Sequence, residues 1–335
     1  MIIFETNSTD PCLNFAAEEF LTRQNNEAFP VWLFWYTEKC VMLGQNQLPE
    51  AELDIAAANA CGVQIVRRQS GGGCIYTDPG TLQYSIILPF PDGGDVSALV
   101  SEHAAEPVVN ALCKLGVPVE FKGRNDIEAN GKKISGLAAY VLNGKLVVHG
   151  SLLFSTDLDI LERLLSPDVE KISTKALRSV RSRVGLISEY IPLNRYTASP
   201  WNISDFKRFL QDAICGKIQR TRVFTAEDYA QIKRLRNEKY AHTDWIFRRA
   251  PAFSRRDSRR FPGGRLDAFL TVSGGLITGC SICGDFLSIV EMSGLEEKIR
   301  GLPYRRDAVE NALNLVDITP FLGGVTRDEL ILCMF

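Results

Sequence analysis

The stretch Arg67-Arg68-Gln69-Ser70-Gly71-Gly72-Gly73-Cys74-Ile75-Tyr76 places three consecutive glycines beside two arginines. The neighbouring segments Val63–Arg67 and Gln83–Leu88 are rich in β-branched and apolar residues, which predicts strands. Glycines let the backbone approach a ligand and present amide groups to an anion, while the arginines add positive charge. A flexible surface turn explains the glycines equally well, because the stretch is neither a Walker A loop nor a dinucleotide-binding fingerprint.

Helices and further strands are predicted on both sides of this stretch. Pro11–Leu21 is typical of a helix with Asp10 as its N-cap, because proline suits the first turn. Ala98–Leu115 is predicted to be a second helix, with Ser97 as its N-cap. The strands predicted nearest the N-terminus are Val31–Tyr36 and Val41–Leu43.

Two Asn-Gly dipeptides, Asn130-Gly131 and Asn143-Gly144, lie between segments of alternating polarity. Asn-Gly is the dipeptide most typical of a two-residue hairpin turn, because both residues tolerate a positive φ. The pattern therefore predicts an antiparallel meander. Its strands are expected at Asp126–Ala129, Lys133–Ser135, Leu137–Leu142 and Lys145–Phe154.

The character of the chain changes after His242. Trp245–Gly264 is rich in arginine and contains two prolines, which indicates a boundary near residues 241–246. We therefore predict two domains, residues 1–243 and 244–335. A capping box of Thr225 and Asp228 opens one of the later helices. The later predicted elements are helices at Ser204–Lys217, Thr225–Tyr240, Leu295–Arg300 and Arg306–Leu315, a hairpin at Gly274-Gly275 and a strand at Leu276–Cys283.

The composition is that of an ordinary folded protein. The 335 residues are 45% hydrophobic and 23% charged, and the net charge of -2 provides no global attraction for nucleic acid. No apolar run approaches the ~20 residues that span a bilayer. Met1–Leu21 lacks the basic and apolar regions of a signal peptide. We therefore expect a cytoplasmic protein that binds neither nucleic acid nor membrane.

The nine cysteines are odd in number and lack the spacing of a disulfide framework. One Cys-x-x-Cys pair, Cys280 and Cys283, is present, but the chain has only three histidines and no second pair. A zinc site is therefore not favoured, and most of the cysteines are expected to be reduced core residues.

Lys133 follows the first Asn-Gly turn and precedes a Ser-Gly step at Ser135-Gly136. A lysine at this place can extend its ammonium into a cleft. An enzyme that forms an acyl-adenylate needs such a cation, because negative charge develops on the α-phosphate and on the attacking carboxylate. The alternative is that Lys132 and Lys133 belong to an ordinary exposed turn.

Taken together, four blocks of the chain resemble, in order and in spacing, the signature blocks of the lipoate–protein ligases. The N-terminal segments Asp10–Glu19 and Gly44–Gln47 are similar to the same family, and C-terminal segments are similar to the accessory domain of its two-domain members. The resemblance covers essentially all 335 residues. The four blocks are Arg67–Asp78, Gly123–Gly136, His149–Leu153 and Ser179–Val184, and the C-terminal segments are Ala250–Phe253, Gly284–Phe286 and Arg300–Tyr304.

The resemblance implies an α+β fold: a mixed sheet of the biotinyl/lipoyl-ligase, class II synthetase-like type with flanking helices, followed by a small α+β domain. It implies an enzyme that uses ATP and Mg²⁺ to convert lipoic acid to lipoyl-AMP, with release of pyrophosphate, and then transfers the lipoyl group to a lysine. The implied acceptors are lipoyl carrier domains: a 2-oxoacid dehydrogenase acyltransferase subunit, the glycine-cleavage H protein or an H-like protein. A monomer is expected.

By position, Lys133 resembles the catalytic lysine that contacts both the lipoyl carbonyl and the α-phosphate. Asn125 and Asp126 fall where the nucleotide phosphates and Mg²⁺ are held, with Asp126 as the metal ligand. The implied ATP- and adenylate-binding residues are Arg68, Gly73, Cys74, Ile75, Tyr76, Asn125, Asp126 and Lys133. The implied lipoate-binding residues are Ser70, Gly71, Gly72, Lys133, Gly136, His149 and Ser151.

Three positions depart from the pattern of the family. Thr77 replaces the usual His, Thr81 replaces a common Asn, and Gln45 replaces a frequent Arg or Lys. The loss of an imidazole and of a cation near the adenylate would slow activation, or would mark a paralogue dedicated to one carrier.

Three other functions compete with ATP-dependent ligation. The nearest is an ATP-independent octanoyl or lipoyl transferase that works through a cysteine thioester, for which Cys74 is the candidate nucleophile. A small residue that fits a tight turn explains Cys74 more simply. Biotin ligation is weakened by the absence of the expected arginine-glycine pattern, and a non-catalytic binder of lipoyl domains is the third alternative.

The C-terminal part carries two further expectations. We expect its arginines to receive an acidic carrier domain. We also expect the small domain to rotate about Tyr240–Trp245, because activation needs a closed site and transfer needs an open one. The arginines are Arg248, Arg249, Arg255, Arg256, Arg259 and Arg260.

Overall fold

The computed structural model describes residues 1–24, 29–123, 125–164, 183–192, 201–216, 221–247 and 252–335. Their contacts define two compact units. The first unit contains Met1–Met42, Leu53–Val66 and Ile75–His242, and the second contains Leu43–Glu52, Arg67–Cys74 and Thr243–Phe335. The second unit therefore includes two short segments that the sequence assigns to the first domain. The predicted division into residues 1–243 and 244–335 stays a prediction.

The strands up to residue 222 range from two to eleven residues in length. In chain order they are β1 (Ile2–Glu5), β2 (Val31–Trp35), β3 (Cys40–Leu43), β4 (Gln64–Arg67), β5 (Ile75–Thr77), β6 (Thr81–Pro89), β7 (Val119–Lys122), β8 (Asp126–Ala129), β9 (Lys132–Leu142), β10 (Lys145–Leu153) and β11 (Thr221–Arg222).

Eight of these strands form one sheet, in the order β11-β1-β2-β6-β10-β9-β8-β7. β1 pairs in parallel with β2 and with β11, and the other neighbours are antiparallel. The remaining three strands form a small sheet in the order β4-β3-β5. The predicted mixed sheet is confirmed.

Both Asn-Gly dipeptides form the predicted hairpin turns. Their φ angles are positive, at 49° and 76° for Asn130 and Gly131 and at 51° and 68° for Asn143 and Gly144. The predicted break in the meander at Gly136 is wrong. Lys132–Leu142 is one continuous strand, because Gly136 keeps its extended pairing with neighbours on both sides.

The helices follow the predicted positions with shifted ends. Helix α1 (Pro11–Arg23) begins as predicted, because the Asp10 side chain accepts hydrogen bonds from two free amides of the first turn. The predicted N-cap Ser97 is wrong: Asp95 performs this role by accepting from the amide of Ala98. The other helices up to residue 246 are Pro49–Glu52, Ile55–Ala60, Val96–Val100 with its continuation through a π-helical turn to Leu115, Leu158–Leu164, Ile203–Cys215, Ala226–Leu235 and Thr243–Ile246.

The large sheet buries both of its faces. One face carries aromatic and aliphatic residues such as Trp32, Phe34 and Tyr84, which pack in a core with the helices Glu106–Leu115 and Ile203–Cys215. The other face is contacted by α1, whose residues Pro11–Thr22 are all buried. A helix that is buried all round must satisfy its polar side chains inside the protein.

The second unit contains a three-stranded antiparallel sheet in the order β12-β13-β14, formed by β12 (Arg255–Phe261), β13 (Gly264–Ser273) and β14 (Leu276–Gly284). The predicted small α+β unit is thereby confirmed. Part of the arginine-rich segment, Arg255–Phe261, forms the edge strand β12, which the sequence did not predict. Cys280 and Cys283 lie three residues apart on β14 and therefore on opposite faces, which disfavours a shared metal. The helices of this part are Ser293–Ile299, Arg306–Leu313 and Arg327–Met334.

None of the helices in the described part of the chain is long and apolar enough to cross a membrane. The predicted segments at residues 179–182 and 248–251, which include Arg248 and Arg249, lie outside the described residues.

Candidate active site

A row of directly opposed residues crosses one face of the large sheet. Asp126 pairs with Gly136, Gly136 with Ser151, Ser151 with Gln83, and Gln83 with Trp35. Opposed residues on neighbouring strands share a face of the sheet. His149 lies two residues before Ser151 and so belongs to the same face. The sheet thus brings together four of the residues that the sequence predicts for the site, on the face that α1 contacts: Asp126, Gly136, His149 and Ser151.

The Lys133 ammonium lies above Gly136, at one end of this row. Its Nζ is 2.7 Å from Oδ1 of Asp126, and the two side chains are 39% and 33% exposed, so both remain accessible to a ligand. A Cβ atom added to Gly136 would lie only 3.0 Å from Nζ of Lys133, so the glycine provides the space that the ammonium occupies. The irregular register of β8 between Ile127 and Glu128 accompanies this placement.

Three hydrogen bonds hold this end of the row in place. The amide of Gly185 donates to the carbonyl of Lys133 at 2.9 Å. The side-chain amide of Asn125 donates to the carbonyl of Leu137 at 3.1 Å, and the Leu137 amide donates to the Asn125 carbonyl at 2.7 Å. Asn125 therefore braces β9 beside Asp126.

Glu18 of α1 is the buried acceptor on this face, only 1% exposed. Its carboxylate accepts from the Tyr140 hydroxyl at 3.0 Å and from the Ser85 hydroxyl, and its Oε2 lies 3.1 Å from Nδ1 of His149. The indole of Trp35 donates in turn to Ser85 at 3.2 Å. A carboxylate at Nδ1 favours a hydrogen on that nitrogen and fixes the orientation of the ring.

Glu18 lies in the segment Asp10–Glu19, and no role was assigned to it from the sequence. The signal that could have found it is the pair Glu18-Glu19 in a helix whose other residues are mostly apolar. Two adjacent carboxylates cannot both face water in a helix that is buried all round, so each needs internal partners.

In the second unit, the backbone amides and the backbone carbonyls of the glycine-rich stretch both form hydrogen bonds. The amide of Gly72 donates to the carbonyl of Phe286 at 2.9 Å, and the amide of Gly71 donates to the carbonyl of Ser288 at 3.4 Å. The Arg68 guanidinium donates to the carbonyls of Gly71 and Gly73 at 2.8 and 2.7 Å. Burial lowers the pKa of Arg68 to about 10. Two of the three glycine amides that could present donors to an anion therefore bind carbonyl groups in this structure.

Arg67 is fully buried and binds the backbone of two other segments of the same unit. Its guanidinium donates to the carbonyls of Gly44, Gln45 and Gln47 at 2.7 to 3.0 Å. It also donates to the carbonyls at residues 245 and 246. Arg67 is thus a structural residue, whereas both Arg67 and Arg68 were considered from the sequence as sources of positive charge.

The other predicted site residues are divided between the units. Ser70 and Gly73 lie in the second unit with the half-buried Cys74, while Ile75 and Tyr76 belong to β5 of the first. Burial and the neighbouring Asp78 raise the pKa of Tyr76, so its hydroxyl is a neutral donor.

The three departures from the family pattern are buried. Thr77 lies 2.6 Å from Thr37 between hydroxyl oxygens, and Thr81 lies 2.7 Å from Thr156 in the same way. Gln45 is 3% exposed. Both hydroxyl pairs are buried.

No group of three or more histidine, cysteine, aspartate or glutamate side chains that could hold a metal occurs among the residues that the structure describes. The accessible carboxylate of Asp126 fits a different kind of site. Mg²⁺ in nucleotide-using enzymes is commonly held by one or two carboxylates together with phosphate oxygens and water.

A model of the lipoyl protein ligase A/B catalytic domain matches residues 10–215, and a model of the bacterial lipoate protein ligase C-terminus matches residues 250–334. A lipoate–protein ligase of Bacillus subtilis (strain 168) is 32% identical over 331 residues, which cover 99% of this chain and 98% of the relative. This chain belongs to the lipoate–protein ligase family. The family recognised in the sequence is therefore confirmed, and the chain is a ligase.

Two solved structures share the fold of this ligase. P. falciparum LipL1 in complex with lipoate aligns with a TM-score of 0.72 at 21% identity and covers 94% of each chain. A lipoate–protein ligase A bound with ATP aligns with a TM-score of 0.61 at 25% identity and covers 73% of this chain and 97% of that one. The predicted fold class is confirmed.

Proposed function

We propose that this ligase activates lipoate with ATP to form lipoyl-AMP, releases pyrophosphate, and transfers the lipoyl group to a lysine of a carrier domain. The observation that carries the proposal is the Lys133 ammonium above Gly136, beside Asp126, on the sheet face that also carries His149 and Ser151. Similarity to lipoate–protein ligases over the full chain supports the same reaction.

Lys133 is the catalytic residue in this proposal. During adenylation its ammonium stabilises the charge that develops on the α-phosphate and on the lipoyl carboxylate. Gly136 and Ser151 offer little bulk beside it, so an acyl chain can lie on the sheet there. His149 lines the same acyl site. The other lipoate-binding residues in the proposal are Ser70, Gly71 and Gly72, and the nucleotide is bound by Arg68, Gly73, Cys74, Ile75, Tyr76, Asn125 and Asp126.

Asp126 is the residue that would hold Mg²⁺ together with the phosphate oxygens. The ion would neutralise charge on the triphosphate. Asp126 also positions the Lys133 ammonium through their 2.7 Å contact, so the carboxylate orients the cation that acts in the reaction.

The proposed acceptors are the lipoyl carrier domains of a 2-oxoacid dehydrogenase acyltransferase subunit, of the glycine-cleavage H protein or of an H-like protein. The Arg255, Arg256, Arg259 and Arg260 side chains of β12 are offered as the surface that receives an acidic carrier. Because Arg256, Arg259 and Arg260 already form ion pairs with aspartates, Arg255 is the member of this set that we expect to contribute most. A monomer in the cytoplasm remains part of the proposal.

Lipoate-dependent exchange of labelled pyrophosphate into ATP tests the proposed activation. The purified full-length chain should catalyse exchange when lipoate and Mg²⁺ are present and should not do so with biotin. If exchange is absent while an octanoyl carrier donates its acyl group through a thioester on Cys74, the chain is a transferase. If neither reaction occurs but a carrier domain binds, the chain is a non-catalytic binder.

A further inference from the structure

Gln83 of β6 is a buried amide whose Nε2 donor is not used in the described part of the protein. The side chain is 3% exposed, and its Nε2 has no hydrogen-bond partner among the residues that the structure describes. Buried polar groups in folded proteins nearly always have partners, because an unsatisfied donor has lost its water without compensation. An unsatisfied amide at a site of this kind indicates a ligand that supplies the missing acceptor.

Gln83 faces the acyl site and not the apolar core. It is directly opposite Ser151 on β10 and Trp35 on β2, so it lies between them in the row that begins at Gly136. Ser85, two residues further along β6, has its hydroxyl bonded to Glu18 of α1, which identifies the face. By contrast, Trp32 and Tyr84 lie on the opposite face within the core.

The spacing of the row matches the length of the substrate. Gln83 is two strands from Gly136, which is ~10 Å at the usual separation of neighbouring strands. The two sulfur atoms of lipoate are six and seven bonds from its carboxyl carbon by the shortest path, or ~7–8 Å in an extended chain, since three backbone bonds span about 3.5 Å. With the carboxylate at Lys133, the dithiolane ring therefore ends within the length of a side chain of Gln83.

We propose that Gln83 determines substrate specificity: its side-chain amide donates to a dithiolane sulfur and so selects lipoate over an unsubstituted acyl chain of the same length. This inference rests on the proposed function, since it assumes that the acyl chain runs from Lys133 towards Trp35. Octanoate reaches the same place with methylene groups, which leave the amide unsatisfied. The disulfide sulfur of the dithiolane ring, like other divalent sulfur, is a weak hydrogen-bond acceptor, so the discrimination between lipoate and octanoate is moderate.

The test compares kcat/KM for lipoate and for octanoate in pyrophosphate exchange, with the full-length protein and its Gln83→Met variant. Methionine keeps the length of the side chain and removes the donor. The ratio of lipoate to octanoate should fall about tenfold, through a loss for lipoate and a gain for octanoate. Tyr84→Phe is the matched control, because it removes a buried polar atom from the adjacent residue on the opposite face. Its ratio should equal that of the wild type.

A ratio that does not change in folded Gln83→Met, or that changes equally in Tyr84→Phe, overturns the assignment. If wild-type protein shows no exchange with lipoate, the proposed function itself fails. If Gln83→Met does not fold, the inference is tested on the wild-type protein with 6-thiaoctanoate, an analogue of octanoate that contains one sulfur. Its KM should be several-fold lower than that of octanoate. Equal KM values for these two acids would also overturn it.

Discussion

At the scale of single residues, Lys133 and Gly136 act as a pair. Lysine is a flexible cation whose position depends on its surroundings, and here the missing side chain at Gly136 and the Asp126 carboxylate define where the ammonium lies. The absence of a side chain at Gly136 thus leaves the space that the Lys133 ammonium occupies. Any side chain there would compete with the ammonium for the same space.

Replacing Lys133 by alanine should slow lipoate-dependent adenylation by ~10²-fold or more, as expected when a preorganised group that stabilises developing charge is removed. The KM for lipoate should change less than kcat, because the ammonium acts more strongly on the transition state than on bound substrate. Single-turnover formation of lipoyl-AMP measures both effects.

Lys132→Ala is the matched control, since it removes the neighbouring ammonium from the same strand. It should leave adenylation near the wild-type rate. Comparable losses in both variants would mean that Lys133 contributes only general positive charge.

Cys74→Ala distinguishes the ligase from a thioester transferase at a single position. Alanine keeps a small apolar side chain in the glycine-rich stretch, so transfer of lipoate to a carrier domain should be largely retained. Mass spectrometry of the wild-type protein after incubation with an acyl carrier should show no acyl adduct on Cys74. Loss of transfer in the variant together with such an adduct would establish the thioester route.

At the scale of elements, α1 is held by carboxylates as well as by apolar packing. Glu18 connects it to the sheet, and Glu19 connects it to the helical turn that ends at Tyr240. Glu19 accepts from Lys239 at 2.7 Å and from the Tyr240 hydroxyl at 2.6 Å. The helix that contacts the candidate site is therefore positioned by two adjacent acids.

Acid should weaken this anchorage in a predictable pH range. Burial alone would raise the pKa of Glu19, but the Lys239 ammonium and hydrogen bonds from Lys239, Tyr240 and Arg23 hold it below the ordinary value of 4.5. A lowered pKa contributes stability that is complete above the ordinary value and is lost as the pH falls through the folded-state value. Lys239→Met should therefore destabilise the protein by about 2 kcal/mol near neutral pH.

Thermal unfolding at several pH values measures this effect. The difference between Lys239→Met and the wild type should shrink below pH 4.5 as Glu19 becomes protonated in both proteins. Lys233→Met, which changes an exposed lysine of the preceding helix, is the control and should show almost no difference. A constant destabilisation across the whole pH range would assign the effect to lost packing.

At the scale of the whole molecule, the second unit is assembled from distant parts of the chain. Its glycine-rich stretch is bonded to Phe286 and Ser288, and Arg67 is bonded to residues 245 and 246. Asn46 also donates to the Ser288 hydroxyl at 2.7 Å. The stretch that the sequence assigns to nucleotide and lipoate binding therefore depends for its conformation on the C-terminal part of the chain.

Deleting residues 246–335 should impair adenylation more than transfer from preformed lipoyl-AMP. The deletion removes the hydrogen-bond partners of Gly71 and Gly72 and one carbonyl bound by Arg67, so the stretch loses its conformation before the adenylate can form. Both half-reactions should be measured on a truncation that circular dichroism shows to be folded. Equal loss of the two half-reactions would contradict this role and the predicted rotation of the small domain. A small-angle scattering profile that lipoate and ATP leave unchanged would contradict the rotation alone.

Features that depend on a few neighbouring residues were predictable from the sequence. The Asn-Gly turns, the Asp10 cap and the Thr225 capping box are local, because each is fixed by backbone conformation and hydrogen bonds within one turn. Family membership also followed from motifs in order along the chain. The site residues predicted by resemblance follow from the same motifs, and their roles stay proposals.

Contacts between groups far apart in the chain were not predictable, because they depend on how the whole chain packs. The side chains that contact the Glu18 carboxylate, Ser85, Tyr140 and His149, are separated from it by 67, 122 and 131 positions in the chain. No local sequence pattern predicts these contacts. The row from Gly136 to Trp35 exists because the registers of four strands align, and a shift of one residue would turn Gln83 to the core. The carbonyl partners of the glycine amides are likewise set by contacts across more than 200 residues of chain, where packing and not propensity selects the pairing.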